Sequence, residues 1–161
     1  MSYDWPKEAM SGDINQEAKM KLVKQLLDSK GHDVLSIAPS ASVLDAIKLM
    51  AEKGVGALIV MDGDAMTGIV TERDYARKVI LKGRSSDETP VSDIMSTGVI
   101  STSPDQTVNS CMNVMTDKRI RHLPVVEGNK VTGLVSIGDL VKAIIADQKE
   151  EIEQLEHYIS G

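Results

Sequence analysis

One pattern is written twice in this chain, and that doubling restricts the fold more than composition does. Residues 68–74 read GIVTERD and residues 133–139 read GLVSIGD, an offset of 133 − 68 = 65. The offset holds without a gap from Ser36/Ser101 to Asp74/Asp139. Pro39 falls on Pro104, Val43 on Val108, Met50 on Met115, Leu58 on Leu123 and Gly63 on Gly128. A fixed internal period marks a supersecondary unit that buries its apolar face against its copy. Each copy also ends in Gly-apolar-Val-hydroxyl-x-x-Asp, so more than core positions are shared.

Each copy reads as strand, helix, strand, strand, helix. In the first, Asp33–Ile37 is a short strand and Ser42 to Asp45 is a capping box opening a helix to Lys53. Ala57–Met61 is an apolar strand, Asp62-Gly63-Asp64 a hairpin turn, Met66–Thr71 the return strand, and a helix runs from Glu72 to about Leu81. The second copy predicts a strand over Val99–Ser101, a helix over Thr107–Lys118, strands over Leu123–Val126 and Val131–Ser136, and a last helix from Gly138. Ahead of both, Ile14, Ala18, Leu22 and Leu26 form a stripe on a helix from Asp13 to about Lys30, with an Asp13/Gln16 box and a Gly31 stop. These spans divide the chain into a leader and helix (1–32), a first repeat (33–83), a polar linker (84–97), a second repeat (98–147) and a helical extension (148–161). From Ile145 at the end of the repeat, Ile152, Leu155 and Ile159 carry an apolar seam through the extension. The seam packs either on the chain's own N-terminal helix or on a second copy in a dimer.

Phe is absent and the aromatics are only Tyr3, Trp5, Tyr75 and Tyr158, so the core is aliphatic and no row of aromatics exists for base stacking. A net charge of −6 also argues against nucleic acid or an anionic membrane as partner. The longest apolar run, Val55 to Met61, is too short to span a bilayer, and the N-terminus lacks the apolar stretch of a signal peptide, so the expectation is cytoplasmic. Cys111, the single cysteine, reads as a buried structural thiol. His32, His122 and His157 show no metal-ligand spacing, so no metal is expected. With no Walker loop, GxGxxG fingerprint or activated nucleophile, no catalytic residue is assigned and an enzyme is the least favoured class.

Thr71 with Asp74, and Ser136 with Asp139, stand where a strand hands over to a helix. A carboxylate there accepts from the two hydroxyls of a ribose, and free amides beside it suit a phosphate. The same spacing is also an ordinary helix cap, and both readings stand.

GIVTERD and GLVSIGD, with SIAPSASVLDAIKLM and RHLPVVEGNKVTGLV before them, resemble the paired cystathionine-β-synthase (CBS) domain, or Bateman module, over about residues 33 to 147. The resemblance implies an α+β fold: two βαββα repeats packed sheet-to-sheet with pseudo-twofold symmetry, plus an N-terminal helix and an extended C-terminal helix. It implies a non-catalytic sensor for AMP, ADP, ATP or NAD(H), AMP foremost, that signals to an unknown protein partner and forms a homodimer. Carried over by residue, cleft one uses Thr71, Arg73 and Asp74 with Val99, Ile100, Ser101, Arg121 and His122, and cleft two uses Ser136 and Asp139 with Leu35, Ser36 and Ala57. Arg119, Arg121 and His122 align with Gly54, Gly56 and Ala57, so only cleft one has cations at that edge and is expected to take the more phosphorylated ligand. Arg77 and Lys78 read as a solvated helix face. The competing expectation is a structural or adaptor protein with empty clefts.

Overall fold

The structure, a computed structural model, describes residues 21–160. The expected Asp13/Gln16 cap and the first part of that helix lie outside the described residues. The chain is mixed α and β, and it divides into two units that do not follow the sequence repeat. The first unit is Val34–Val99. The second joins residues 21–33 to residues 100–160 among those described.

In the first unit, β1 (Ser36–Ile37) runs parallel to β2 (Ala57–Asp62), which pairs antiparallel with β3 (Ala65–Thr71) in the order β1-β2-β3. Gly63 takes φ 61° at the hairpin tip, as the sequence requires. Of the two helices α1 (Val23–Lys30) and α2 (Val43–Lys53), α2 belongs here. The Ser42 hydroxyl accepts from the Asp45 amide at 3.1 Å, and Gly54 ends the helix at φ 66°. After β3 comes the short α3 (Glu72–Tyr75), then a widened turn over Ala76–Ile80 with i→i+5 bonds, Leu81 N to Ala76 O and Arg84 N to Val79 O, both 3.0 Å.

The expected linker is structured and belongs to this unit. Val91 N donates to Ala41 O at 2.8 Å and Ser92 N to Pro39 O at 2.9 Å, while Ser96 and Ile69 exchange bonds of 3.0 and 2.9 Å. Val91 and Ile94 are buried with Val43, Ala46, Met50, Leu58, Val60, Val70 and Val79. The polar composition of residues 84–97 concealed two apolar anchors three residues apart.

The second unit repeats this arrangement with a segment from the other end of the chain. Its own elements are α4 (Val108–Lys118), β4 (His122–Glu127), β5 (Lys130–Ser136) and α5 (Ile137–Ser160). The docked segment is α1: Val23 N donates to Gln106 O at 2.8 Å and Lys24 N to Pro104 O at 3.0 Å. These bonds match those of Val91 and Ser92, so the docked segments correspond at an offset of 91 − 23 = 68. The segment before each repeat thus packs on the other repeat. Val23, Leu26 and Leu27 join Val108, Cys111, Val114, Met115, Leu123, Val125, Val135 and Leu140 in one core.

The strand expected over Val99–Ser101 is not formed, and this sheet has two strands where the first has three. The reason is Pro124. In the first unit Ile59 N donates to Leu35 O at 3.1 Å, which holds β1 in place. Pro124 stands at the matching position and has no N–H to give. What survives is a bridge at Thr102, whose amide donates to Pro124 O at 2.8 Å and whose carbonyl accepts from Val126 N at 2.9 Å.

Helix α5 begins as expected and reaches Ser160. Leu140 and Ala143 are buried, and Lys21 pairs with Asp147 at 3.9 Å. Ile145, Ile152, Leu155 and Ile159 are exposed, so the seam finds no cover among the described residues.

Cys111 is buried with its Sγ 3.3 Å from Thr102 Oγ1. Burial pushes its thiol up to about 11, only partly opposed by that hydrogen bond. At pH 8 the native protein should therefore label with a thiol reagent far more slowly than the guanidinium-unfolded chain. Equal rates would show the thiol to be reachable in the fold.

Candidate functional site

The two hydroxyl-x-x-Asp corners are helix caps in fact as well as in sequence. Thr71 closes β3, and its Oγ1 accepts from Asp74 N at 3.1 Å. Asp74 Oδ2 accepts in return from Thr71 N at 3.0 Å and from Thr71 Oγ1 at 3.1 Å. Asp74 is 8% exposed, low for a carboxylate. Its Oδ1 lies 3.1 Å from Lys78 Nζ, one turn on, and the same ammonium donates to Ile94 O at 2.8 Å. Lys78 is thus the counter-ion of Asp74, a correction to its reading as a solvated face. The i,i+4 spacing was the signal that could have found it.

At the second corner, Ser136 Oγ accepts from Asp139 N at 3.1 Å and Asp139 Oδ2 accepts from Ser136 N at 2.9 Å. Here the counter-ion is Lys30, at the end of α1 and 109 residues away in sequence. Its Nζ donates to Asp139 Oδ2 and to Leu134 O, both at 2.5 Å. Nothing local in the sequence pointed to Lys30. Burial acts to raise the Asp139 carboxyl, but the Lys30 ammonium and the Ser136 amide outweigh it and hold the group below its ordinary range. A pocket of about 350 Å³ opens beside this corner, with Lys21, Ser29 and Lys142 also in its wall.

The remaining expected residues divide between the units. Leu35, Ser36, Ala57, Thr71, Arg73, Asp74 and Val99 lie in the first, and Ile100, Ser101, Arg121, His122, Ser136 and Asp139 in the second. Each sheet joins residues that the sequence reading gave to different clefts. Ala57 pairs across strands with Thr71, and His122 with Ser136. Backbone bonds reinforce both corners: Glu72 N donates to Gly56 O at 3.1 Å, and Ile137 N to Arg121 O at 2.9 Å. Arg73 and Arg121 are exposed. Arg119 ends α4 in the left-handed conformation, φ 55°, where the first copy has Gly54.

His122 is half-buried, and its imidazole is held below its ordinary value. Burial is the main cause, with repulsion from Lys30 and Arg121 added and attraction to Asp139 opposing. In the unfolded chain His122 binds a proton near pH 6.5 that the folded chain resists, so stability should fall as pH drops below that value. His122→Gln should flatten the slope of stability between pH 7 and 5.5 in urea melts at fixed salt. An unchanged slope would assign the pH dependence elsewhere. Asp139 acts in a lower window, stabilising above its unfolded value near 3.8 and losing that contribution as pH falls further.

Among the described residues no helix is long and apolar enough to cross a membrane, and no group of three His, Cys, Asp or Glu is placed to hold a metal.

The CBS domain profile matches residues 23–80 and 91–146. Its two starting points are the two docked segments. The chain is 41% identical over 148 residues to the mitochondrial CBS domain-containing protein CBSX3 of Arabidopsis thaliana, covering 86% of this chain and 72% of that one. The solved structure of a putative signal-transduction protein with CBS domains from Burkholderia ambifaria is 53% identical, with TM-score 0.77 over 80% of this chain and 96% of that one. The CBS domain pair of protein MJ0100, in complex with 5′-methylthioadenosine and S-adenosyl-L-methionine, shares the fold at 23% identity and TM-score 0.71, over 79% of this chain and 98% of that one. With both profile matches falling on its two repeats, this chain belongs to the CBS domain family as a CBS pair.

Proposed function

We propose that this protein is a non-catalytic regulatory module that binds an adenine nucleotide (AMP foremost, with ADP, ATP or NAD(H) as alternatives) and signals the bound state to a protein partner. The observation that carries this reading is the doubled corner: a strand end, a capping hydroxyl and a carboxylate with spare lone pairs beside a helix start. Such a carboxylate accepts from both hydroxyls of a ribose, and helix-start amides favour a phosphate. The adenosine compounds bound by the MJ0100 pair belong to the same ligand class.

The corner of Thr71 and Asp74 is the better equipped. Arg73 adjoins it in sequence, and the proposal adds Val99, Ile100, Ser101, Arg121 and His122 from the second repeat's strand region. Arg119 supports the asymmetry, since a non-glycine residue in its conformation costs about 1 kcal/mol or more. A cation kept there at such a cost fits a phosphate-facing edge. Leu35, Ser36 and Ala57 would serve Ser136 and Asp139 in the same way. A homodimer is part of the proposal, because the exposed seam of α5 needs a partner to bury it.

The second reading, a ligand-free adaptor, draws on the lysines that already neutralise both carboxylates. Thermal unfolding with AMP, ATP and NADH separates the two. A ligand at a hundred times its dissociation constant stabilises the native state by about 2.7 kcal/mol. No shift with any of the three, and no nucleotide released by heating the purified protein, would leave the adaptor.

A further inference from the structure

The two corners are alike in their caps and unlike in their counter-ions. Lys78 belongs to the chain just after Asp74 and approaches Oδ1, leaving Oδ2 to Thr71. Lys30 approaches Asp139 on Oδ2 itself, the oxygen that already accepts from Ser136 N. It also bonds the Leu134 carbonyl, so the ammonium bridges the end of β5 and the carboxylate. A ribose would bring hydroxyl donors to the same carboxylate. An ammonium has three donors and a full charge, so it is the stronger occupant.

Lys30 is also delivered by the docked segment rather than by the corner's own helix. At the offset that relates the two docked segments, Lys30 corresponds to Gly98, which has no side chain. No docked segment therefore occupies the first corner, where the ammonium is the corner's own Lys78, set on Asp74 Oδ1 rather than on the capping Oδ2. Nor can Asp139 recruit a partner as Asp74 does, because Ala143 stands where Lys78 would be.

We propose that Lys30 stands in for the ribose at Asp139, so that the chain takes one adenine nucleotide, at the Thr71–Asp74 corner, and takes a second only when Lys30 is displaced or removed. This rests on the nucleotide-binding reading above and makes Lys30 the residue that sets how many ligands are bound. It also ties the second corner to α1: a ligand at Asp139 must free the last turn of that helix from its anchor.

Calorimetric titration of the full chain with AMP tests this. The wild type should bind one AMP per chain, and Lys30→Met should bind two. Lys30→Met with Asp74→Ala should return to one, now at Asp139. Lys30→Gln, which keeps a neutral donor, should give a second site at least about tenfold weaker than that of Lys30→Met. Stoichiometry is the readout because loss of a merely structural ion pair would lower the melting temperature without adding a site. Two sites in the wild type, or one site retained in a folded Lys30→Met protein, overturns the role of Lys30 alone. No binding by any of these proteins overturns it together with the nucleotide reading.

Discussion

Asp74→Ala should leave a folded protein whose affinity for the proposed adenine nucleotide is lower by roughly tenfold to a hundredfold. The carboxylate is the group expected to hold the ribose, and a hydrogen bond to a charged partner contributes about 1.5–3 kcal/mol. The same change removes the acceptor for Thr71 N and the counter-ion of Lys78. Some stability should go too, about 1 kcal/mol for a lost cap. Asp74→Asn separates the effects, because its amide oxygen can still accept from Thr71 N while the charge is gone. Binding should then fall nearly as far as in the alanine variant, with more of the melting temperature kept. Unchanged affinity in a folded Asp74→Ala protein would sink the site.

Gly68→Ala should be the most damaging glycine-to-alanine change among the described residues. The glycine has no unusual backbone angle; close approach of other atoms is what demands it. A Cβ at Gly68 would lie 2.7 Å from Ser96 O and 2.9 Å from Met95 Sδ. The oxygen cannot swing aside, because it accepts from Ile69 N in the bridge that fixes residues 89–96 to the first unit. Overpacking of this kind costs about 1–3 kcal/mol, and more when backbone must move. A drop in melting temperature of about 10 °C is expected for about 3 kcal/mol in a chain of this size. Gly133 is the control. The atoms nearest its Cβ would belong to the Leu27 side chain, with the two methyls at 2.8 and 2.9 Å and Cγ at 3.4 Å, and a side-chain end can shift where backbone cannot. Gly133→Ala should therefore lose clearly less than Gly68→Ala in urea melts, and the reverse order would remove this explanation.

The contrast between these glycines marks where sequence reading stopped. Both sit at the same place in the repeat, and nothing within a few residues distinguishes them. The difference comes from what docks on each: a backbone strap carrying Ser96 in one unit, the side chain of Leu27 in the other. The two carboxylates behave in the same way. Asp74 and Asp139 were found by register alone, and Asp74 has a counter-ion four residues on. The counter-ion of Asp139 came from a helix at the opposite end of the chain.

What the sequence determined by itself was everything carried by contacts within about four residues or by the doubled period. That includes the two hairpins with left-handed glycines at 63 and 128, the caps at Ser42, Thr71 and Ser136, and the family. Tertiary structure alone decided which segment completes which core, because Val91 and Ile94 are as apolar in a linker as in a core. It decided the missing strand, where Pro124 withholds one amide from a partner that only the fold brings near. It also decided that Lys30 meets Asp139. An ion pair depends on distance in space, and a separation of 109 residues in sequence places no limit on that distance.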